Sequence, residues 1–229
     1  MAFLEQRYPP AWAQSWDRVG LVLGEPSAPV RTVLLVIDCV PETVAEAVAL
    51  GADLIVAHHP LLLRGVASVA PTTYKGRIVH RLIKADIALF TAHTNADVAA
   101  PGVSDALAAR LGLASLRPLV PAADDPRRGT GRVGVLSSPV VLAEFADAVR
   151  AGVDAYLTAD LRHHPASEHL ADGGPALVDA AHWATEHPWL DELAAELLAG
   201  LGMRAVVSTL DTDPWTLHLP TNDQKEPRP

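Results

Sequence analysis

Three short clusters of histidine and carboxylate residues hold the chemistry that can be read from this chain. His58 and His59 close the apolar run Ile55-Val56-Ala57-His58-His59-Pro60. His93 and Asp97 bound His93-Thr94-Asn95-Ala96-Asp97, and His182 and Glu186 bound His182-Trp183-Ala184-Thr185-Glu186. Imidazoles and carboxylates together form a ligand set that zinc, iron and manganese accept. Successive side chains of a strand point to opposite faces, so a His-His pair at a strand end can fork toward two ions. His93 and Asp97 are four residues apart, as are His182 and Glu186, and helical neighbours at that spacing share a face. A carboxylate such as Asp97 can bridge two cations and offset their charge. Two carboxylates neutralise half the charge of two divalent cations. The remainder favours a bridging hydroxide and an anionic ligand such as phosphate, with a water of lowered pKa as nucleophile. The clusters therefore predict a site for two divalent metal ions (zinc, iron or manganese).

Each cluster also has a plain structural reading. His58-His59-Pro60 can be a turn, Asp97 a helix cap or Asx turn, and His182 with Glu186 a surface pair. What favours a shared site is that each cluster follows a predicted strand, where ligands gather in open α/β sheets. Asp160, His163 and His164 form a secondary group that reads either as substrate-binding residues or as a polar turn. His80, His169, His187 and His218 have no partner pattern and read as surface residues.

The elements that must position these residues follow from the apolar pattern. Val33 to Ile37 is a strand-length run, Pro41 and Glu42 suit a first helical turn, and Gly51 ends that helix. Asp53 to Ala57 reads as the next strand. Strands this apolar are buried on both faces, as in parallel sheets. A helix follows Thr73, and Ile87 to Thr91 makes another strand. Ser104 reads as an N-cap for a helix that ends at Gly112. Pro118 to Gly131, rich in Pro, Asp and Gly, reads as a linker or exposed loop. Val133 to Leu136 is a candidate strand, and Leu142, Phe145 and Val149 mark a helix face. Val153 to Thr158, Ala176 to Asp179 and Ala205 to Ser208 are further strands. Leu190, Leu193, Leu197 and Leu201 line a late helix. Pro188 suits a first turn, so that helix is expected to start near Thr185, with His182 ahead of it. A faint repeat, A-x-A-V-x-x-G-x-D, occurs at 45–53 and 146–154, each copy followed by a double histidine. It fits either two duplicated α/β lobes or any helix-Gly-strand unit.

The fold class expected from these elements is α/β with mostly parallel sheets, and the linker divides the chain into a first and a second lobe. The first lobe spans 1–120 and carries most ligands. The second, 121–219, returns His182 and Glu186 to the site, and 220–229 is a disordered tail. The 229 residues suffice for a real core, and a net charge of −9 argues against a nucleic-acid footprint. The single cysteine, Cys39, excludes an internal disulfide and multi-thiolate zinc sites, and it fits a reducing cytoplasm. It follows an apolar run and is expected to be buried. No secretory signal or apolar stretch of membrane-spanning length is visible.

The motifs Ser15-Trp16-Asp17-Arg18-Val19-Gly20-Leu21, Ala57-His58-His59-Pro60-Leu61, Thr73-Tyr74-Lys75-Gly76-Arg77 and Ala92-His93-Thr94-Asn95-Ala96-Asp97 occur in that order. They continue in residues 155–164 and in Asp179-Ala180-Ala181-His182-Trp183-Ala184-Thr185-Glu186. In these the chain resembles the GTP cyclohydrolase I type 2 family, also called the Nif-three-like family of dinuclear metal-centre proteins. The resemblance implies two interlinked α/β lobes with a dinuclear metal site in the cleft between them, and a ring-shaped homohexamer. It places the ligands on His58, His59, Asp97, His182 and Glu186, with His93 close by as the candidate catalytic residue. The chain departs from the family pattern just before Ala151-Gly152-Val153-Asp154, where a strand-turn unit is missing and the second lobe reads as shortened. Two functions follow as expectations. One is a metal-dependent hydrolase acting on a small anionic nucleotide or phosphoester. The other is a non-enzymatic hexameric metal-binding scaffold or regulatory protein.

Overall fold

A computed structural model of the chain describes residues 1–135, 139–142 and 152–215. Among the described residues, ten strands form two five-stranded sheets. In the first sheet the order is β1 (Gly20–Leu23), β4 (Ala88–Thr91), β3 (Leu54–Ala57), β2 (Thr32–Val36) and β10 (Arg204–Val207). Only β1 runs antiparallel to its neighbour. In the second sheet the order is β5 (Ala114–Pro121), β6 (Gly129–Val135), β7 (Pro139–Leu142), β8 (Ala155–Thr158) and β9 (Ala176–Asp179). There β7, β8 and β9 are parallel, and β5 and β6 pair antiparallel. The expected α/β architecture with mostly parallel strands is present.

The first sheet is buried on both faces, and strand alternation divides its side chains between two cores. Val33, Leu35, Leu54, Val56 and Phe90 face one way, against Trp189, Leu190, Leu193 and Leu197. Leu34, Val36, Ile55, Ala57 and Leu89 face the other, against Val44, Ala47, Ile78, Val79 and Leu82. Cys39 is buried in this second core, as expected. The helices that cover the sheet are α1 (Ala2–Arg7), α2 (Pro41–Leu50), α3 (Tyr74–Lys84), α4 (Thr94–Asp97) and α5 (Val103–Arg110). Three more follow: α6 (His163–Ala171), α7 (His182–Glu186) and α8 (Pro188–Leu201). α8 leads back to the first sheet, where β10 pairs with β2. None of the described helices is long and apolar enough to cross a membrane.

Several expectations need correction. Pro118 to Gly131 is not all loop: β5 runs through Pro121 and β6 starts at Gly129. β5 is the edge strand of its sheet, and an edge tolerates proline because its outward N–H positions need no partner. Leu142 lies in β7 rather than on a helix. Phe145 and Val149, residues 146–151 of the repeat, His218 and the 220–229 tail lie outside the described residues. α5 starts one residue before Ser104, with Gly102 as its N-cap and the Asp105 carboxylate accepting from the Gly102 N–H. His169 is buried and hydrogen-bonds the Pro175 carbonyl, so it is no surface residue. His182 opens its own short helix, separate from α8, instead of preceding one.

One buried ion pair ties the second sheet to the first. Arg132, on β6 and only 1% exposed, makes a forked contact with Asp105 of α5. Its remaining N–H groups reach the carbonyls of Ala99, Gly129 and Gly131. Breaking such a pair leaves a carboxylate and three carbonyls without their donor. Arg132→Met is expected to cost about 3 kcal/mol in chemical denaturation. A loss below about 1 kcal/mol would show the pair is not holding the two sheets together.

Candidate metal centre

The centre is built from strand ends of both sheets. The β2–β3 pairing continues past β3, with the His58 N–H donating to Val36 O and the His59 N–H to Ile37 O. The chain bends at these two residues, and their imidazole rings lie 5.1 Å apart. His58 is fully buried and its ring packs 5.3 Å from that of Trp189, while His59 turns toward Asp38 and is half-buried. β4 ends at Thr91, and His93 caps the one-turn helix α4 that carries Asp97. From the second sheet, β9 ends at Asp179 and leads into α7, whose single turn faces His182 and Glu186 inward.

The predicted residues converge. The Nε2 atom of His58 lies 3.5 Å from Asp97 Oδ1 and 3.4 Å from Glu186 Oε1. His59 Nε2 is 3.0 Å from Glu186 Oε2, and His182 Nε2 is 2.9 Å from Glu186 Oε1. Glu186 thus reaches three histidines, with Oε1 shared by His58 and His182 and Oε2 facing His59. The His93 ring is 5.2 Å from that of His58 and 5.6 Å from that of His59. Two overlapping groups could each hold a metal ion: His58, His59 and His93, and His59, His182 and Glu186.

Four histidines share one arrangement that the sequence does not announce. Each directs Nδ1 outward to a fixed acceptor: His58 to Ala92 O (2.9 Å), His59 to Asp38 (2.8 Å), His93 to Asp17 (2.9 Å) and His182 to Asp160 (2.6 Å). An acceptor at Nδ1 fixes the proton there and leaves Nε2 as the ligating atom, the pattern found around bound metals. Asp17 is itself held by the Thr94 N–H and hydroxyl and the Arg18 N–H. Asp38 accepts a further hydrogen bond from Thr212. Asp160 has φ +58°, a left-handed conformation that Asp tolerates better than most residues and that aims its carboxylate at His182. Asp160 therefore meets the centre as a support for His182. His163 and His164 stack on each other at the start of α6, with no contact to the centre among the described residues.

The inward atoms fit a cation and little else. His58 Nε2 and Glu186 Oε2 are buried and make no hydrogen bond; the close approach of Glu186 Oε2 to His59 lacks the alignment for one. Unpaired buried polar atoms are costly unless something such as an ion satisfies them. Without an ion, protons fill the gap. Burial favours neutral His59, yet its hydrogen bond to Asp38 and the adjacent Glu186 carboxylate hold its pKa up at about 10. The hydrogen bond to Glu186 outweighs burial at His182 and, with Asp160, raises it to about 9. Burial would raise Glu186, but His58, His182 and His59 hold it well below the usual range. Burial pushes Asp97 up to about 6, opposed by His58 and reinforced by Glu186.

These values set two expectations. At pH 7.5 the metal-free protein carries protons on His59 and His182 that a cation must displace. Zinc binding should release about two protons per chain, so calorimetry should be more exothermic in Tris than in PIPES. Equal heats would contradict the arrangement. A His pKa raised on folding stabilises fully below the unfolded value near 6.5 and loses that effect as pH climbs through the folded value. The metal-free protein should therefore melt at progressively lower temperature between pH 7 and pH 10, and a flat profile would count against these contacts.

Comparison with known proteins places the chain among relatives. Residues 1–151 and 144–214 match the Duf34/NIF3 (NGG1p interacting factor 3) family. A Streptomyces coelicolor protein named GTP cyclohydrolase 1 type 2 homolog is 50% identical over 262 aligned positions, covering 94% of this chain and 92% of that one. A Mycobacterium tuberculosis protein of the same name is 33% identical over 362 positions, covering 93% and 95%. Both alignments are longer than this chain, so these relatives carry insertions that it lacks. The fold matches a Bacillus cereus protein related to NIF3 (TM-score 0.87, 21% identity, 95% of this chain and 97% of that one). It also matches reduced HcgD from Methanocaldococcus jannaschii (TM-score 0.77, 24% identity, 91% and 96%). By sequence and by fold, the chain belongs to the Duf34/NIF3 family.

Proposed function

We propose that this protein binds two divalent cations through His58, His59, Asp97, His182 and Glu186, and acts as a metal-dependent hydrolase on a carbon or phosphorus electrophile. The observation that carries this reading is the orphaned, fully buried His58 Nε2, aimed at Asp97 and Glu186 with its Nδ1 already satisfied. Such ions supply Lewis-acid polarisation and activation of water. The chain's own part is to hold Glu186 within reach of His58, His59 and His182 and to keep each imidazole in one tautomer. His93 is the residue suited to moving a proton. Burial and the neighbouring His58 lower its pKa, outweighing Asp17, so it is neutral near pH 7 with Nε2 free to accept.

A second reading, the non-enzymatic metal-binding scaffold, is favoured by one observation. The family match falls into two pieces that meet at 144–151, where sequence analysis finds a strand-turn unit missing. In both readings the chain forms a homohexamer, supported by the resemblance and by apolar side chains left exposed in the single chain, among them Ile83, Leu198 and Leu201.

Elemental analysis of tag-free protein purified without chelator should find about two metal ions per chain; none would end both readings. Asp97→Ala should lower metal affinity at least tenfold with the fold retained. His93→Gln should keep the metal and lower turnover of GTP or a generic phosphodiester about 100-fold. Turnover by no loaded metal form would favour the scaffold. Light scattering should give roughly six times the 24.2 kDa chain mass, and a monomer would remove the ring.

A further inference from the structure

A cleft of about 410 Å³ opens beside the centre and shares Asp97, His182 and Glu186 with it. Its charged lining is acidic: Asp97, Asp160 and Glu186, with no Lys or Arg among the described residues. Apart from His182, the other described lining residues are uncharged. Leu107 and Leu157 give an apolar side, and Ser104 and Thr130 offer hydroxyls that no described residue engages. Arg132 sits behind Thr130 and Gly131, but it is buried and its guanidinium is taken up by Asp105 and three carbonyls. It has no charge to lend the cleft.

The supports behind the histidines change the charge balance that the sequence implied. Asp17, Asp38 and Asp160 join Asp97 and Glu186, making five carboxylates around a centre for two divalent cations. If all five are ionised, they outweigh the cations' four positive charges, and the excess that favoured an anionic ligand is gone. Among the described residues, a triphosphate laid in this cleft would meet three acidic side chains and His182, and no Lys or Arg.

We propose that the cleft receives an uncharged or cationic part of the substrate, a body with hydroxyl or amide groups on one side and an apolar face on the other, and that it excludes phosphate. The inference rests on the metal-centre reading and narrows it: the group that reacts meets the ions, while the body that selects the substrate carries no negative charge. Ser104 and Thr130 are the specificity-determining hydroxyls, positioned to hydrogen-bond that body.

The test uses zinc-loaded full-length protein and benzohydroxamate, a metal-chelating probe whose ring projects from the centre. Three derivatives carry a para aminomethyl, hydroxymethyl or carboxylate group, and titration calorimetry gives each Kd. The aminomethyl and hydroxymethyl probes should bind about tenfold tighter than the carboxylate, the factor one like charge imposes at several ångströms in a partly screened site. Ser104→Lys should bring the carboxylate to parity with the hydroxymethyl probe. A carboxylate that binds the unmodified protein as tightly as the neutral probe would overturn the inference while leaving the metal centre standing. So would a carboxylate affinity that does not respond to Ser104→Lys, since the ring would then lie elsewhere. Unchanged binding of all three probes after chelator treatment would overturn the metal reading and this inference together.

Discussion

Four imidazoles whose outer nitrogens are all pinned form the constraint on which the site depends. Ala92 O, Asp38, Asp17 and Asp160 each hold one Nδ1, so the Nε2 atoms and Glu186 are crowded into one small volume. Without a cation such a cluster is a strained electrostatic object. His59 and His182 take up protons well above the usual histidine range, and Glu186 is held ionised at low pH. A protein keeps unsatisfied buried groups of this kind where function needs them.

The fold supplies that crowding from two directions. The parallel first sheet, covered on both faces, fixes the ends of β3 and β4 and with them His58, His59 and His93. The second sheet brings β8 and β9, and so Asp160, His182 and Glu186. Among the described residues its core centres on Val133, Val153 and Tyr156. The Arg132–Asp105 pair and the return of α8 to the first sheet therefore matter to the geometry of the centre. Trp189 on α8 links the two, since it packs against His58 and donates to the Tyr8 hydroxyl.

Much of this was legible in the sequence because the strong signals were local. Val33–Ile37 and Asp53–Ala57 are apolar enough to be buried strands wherever they occur, and Gly51 with φ +64° ends its helix as read. The five ligand candidates stood out by residue type and strand-end position. The supporting carboxylates did not, because nothing local links Asp38 to His59 or Asp160 to His182 across 21 and 22 residues. Asp38 could have been found, since it lies two residues past β2 as His59 lies two residues past β3. β5 was hidden by its prolines, which an edge strand accepts and a central one would not. The repeat misled in part. Gly51 and Gly152 share a left-handed φ, but the first double histidine sits at the end of β3 while the second starts a separate helix.

The central claim is best tested by a crystal structure of zinc-loaded protein with anomalous data collected at the zinc edge. Two peaks, one beside His58 and Asp97 and one beside His59 and His182, with Glu186 touching both, are the predicted result. No peak within coordination distance of His58 Nε2 would contradict it.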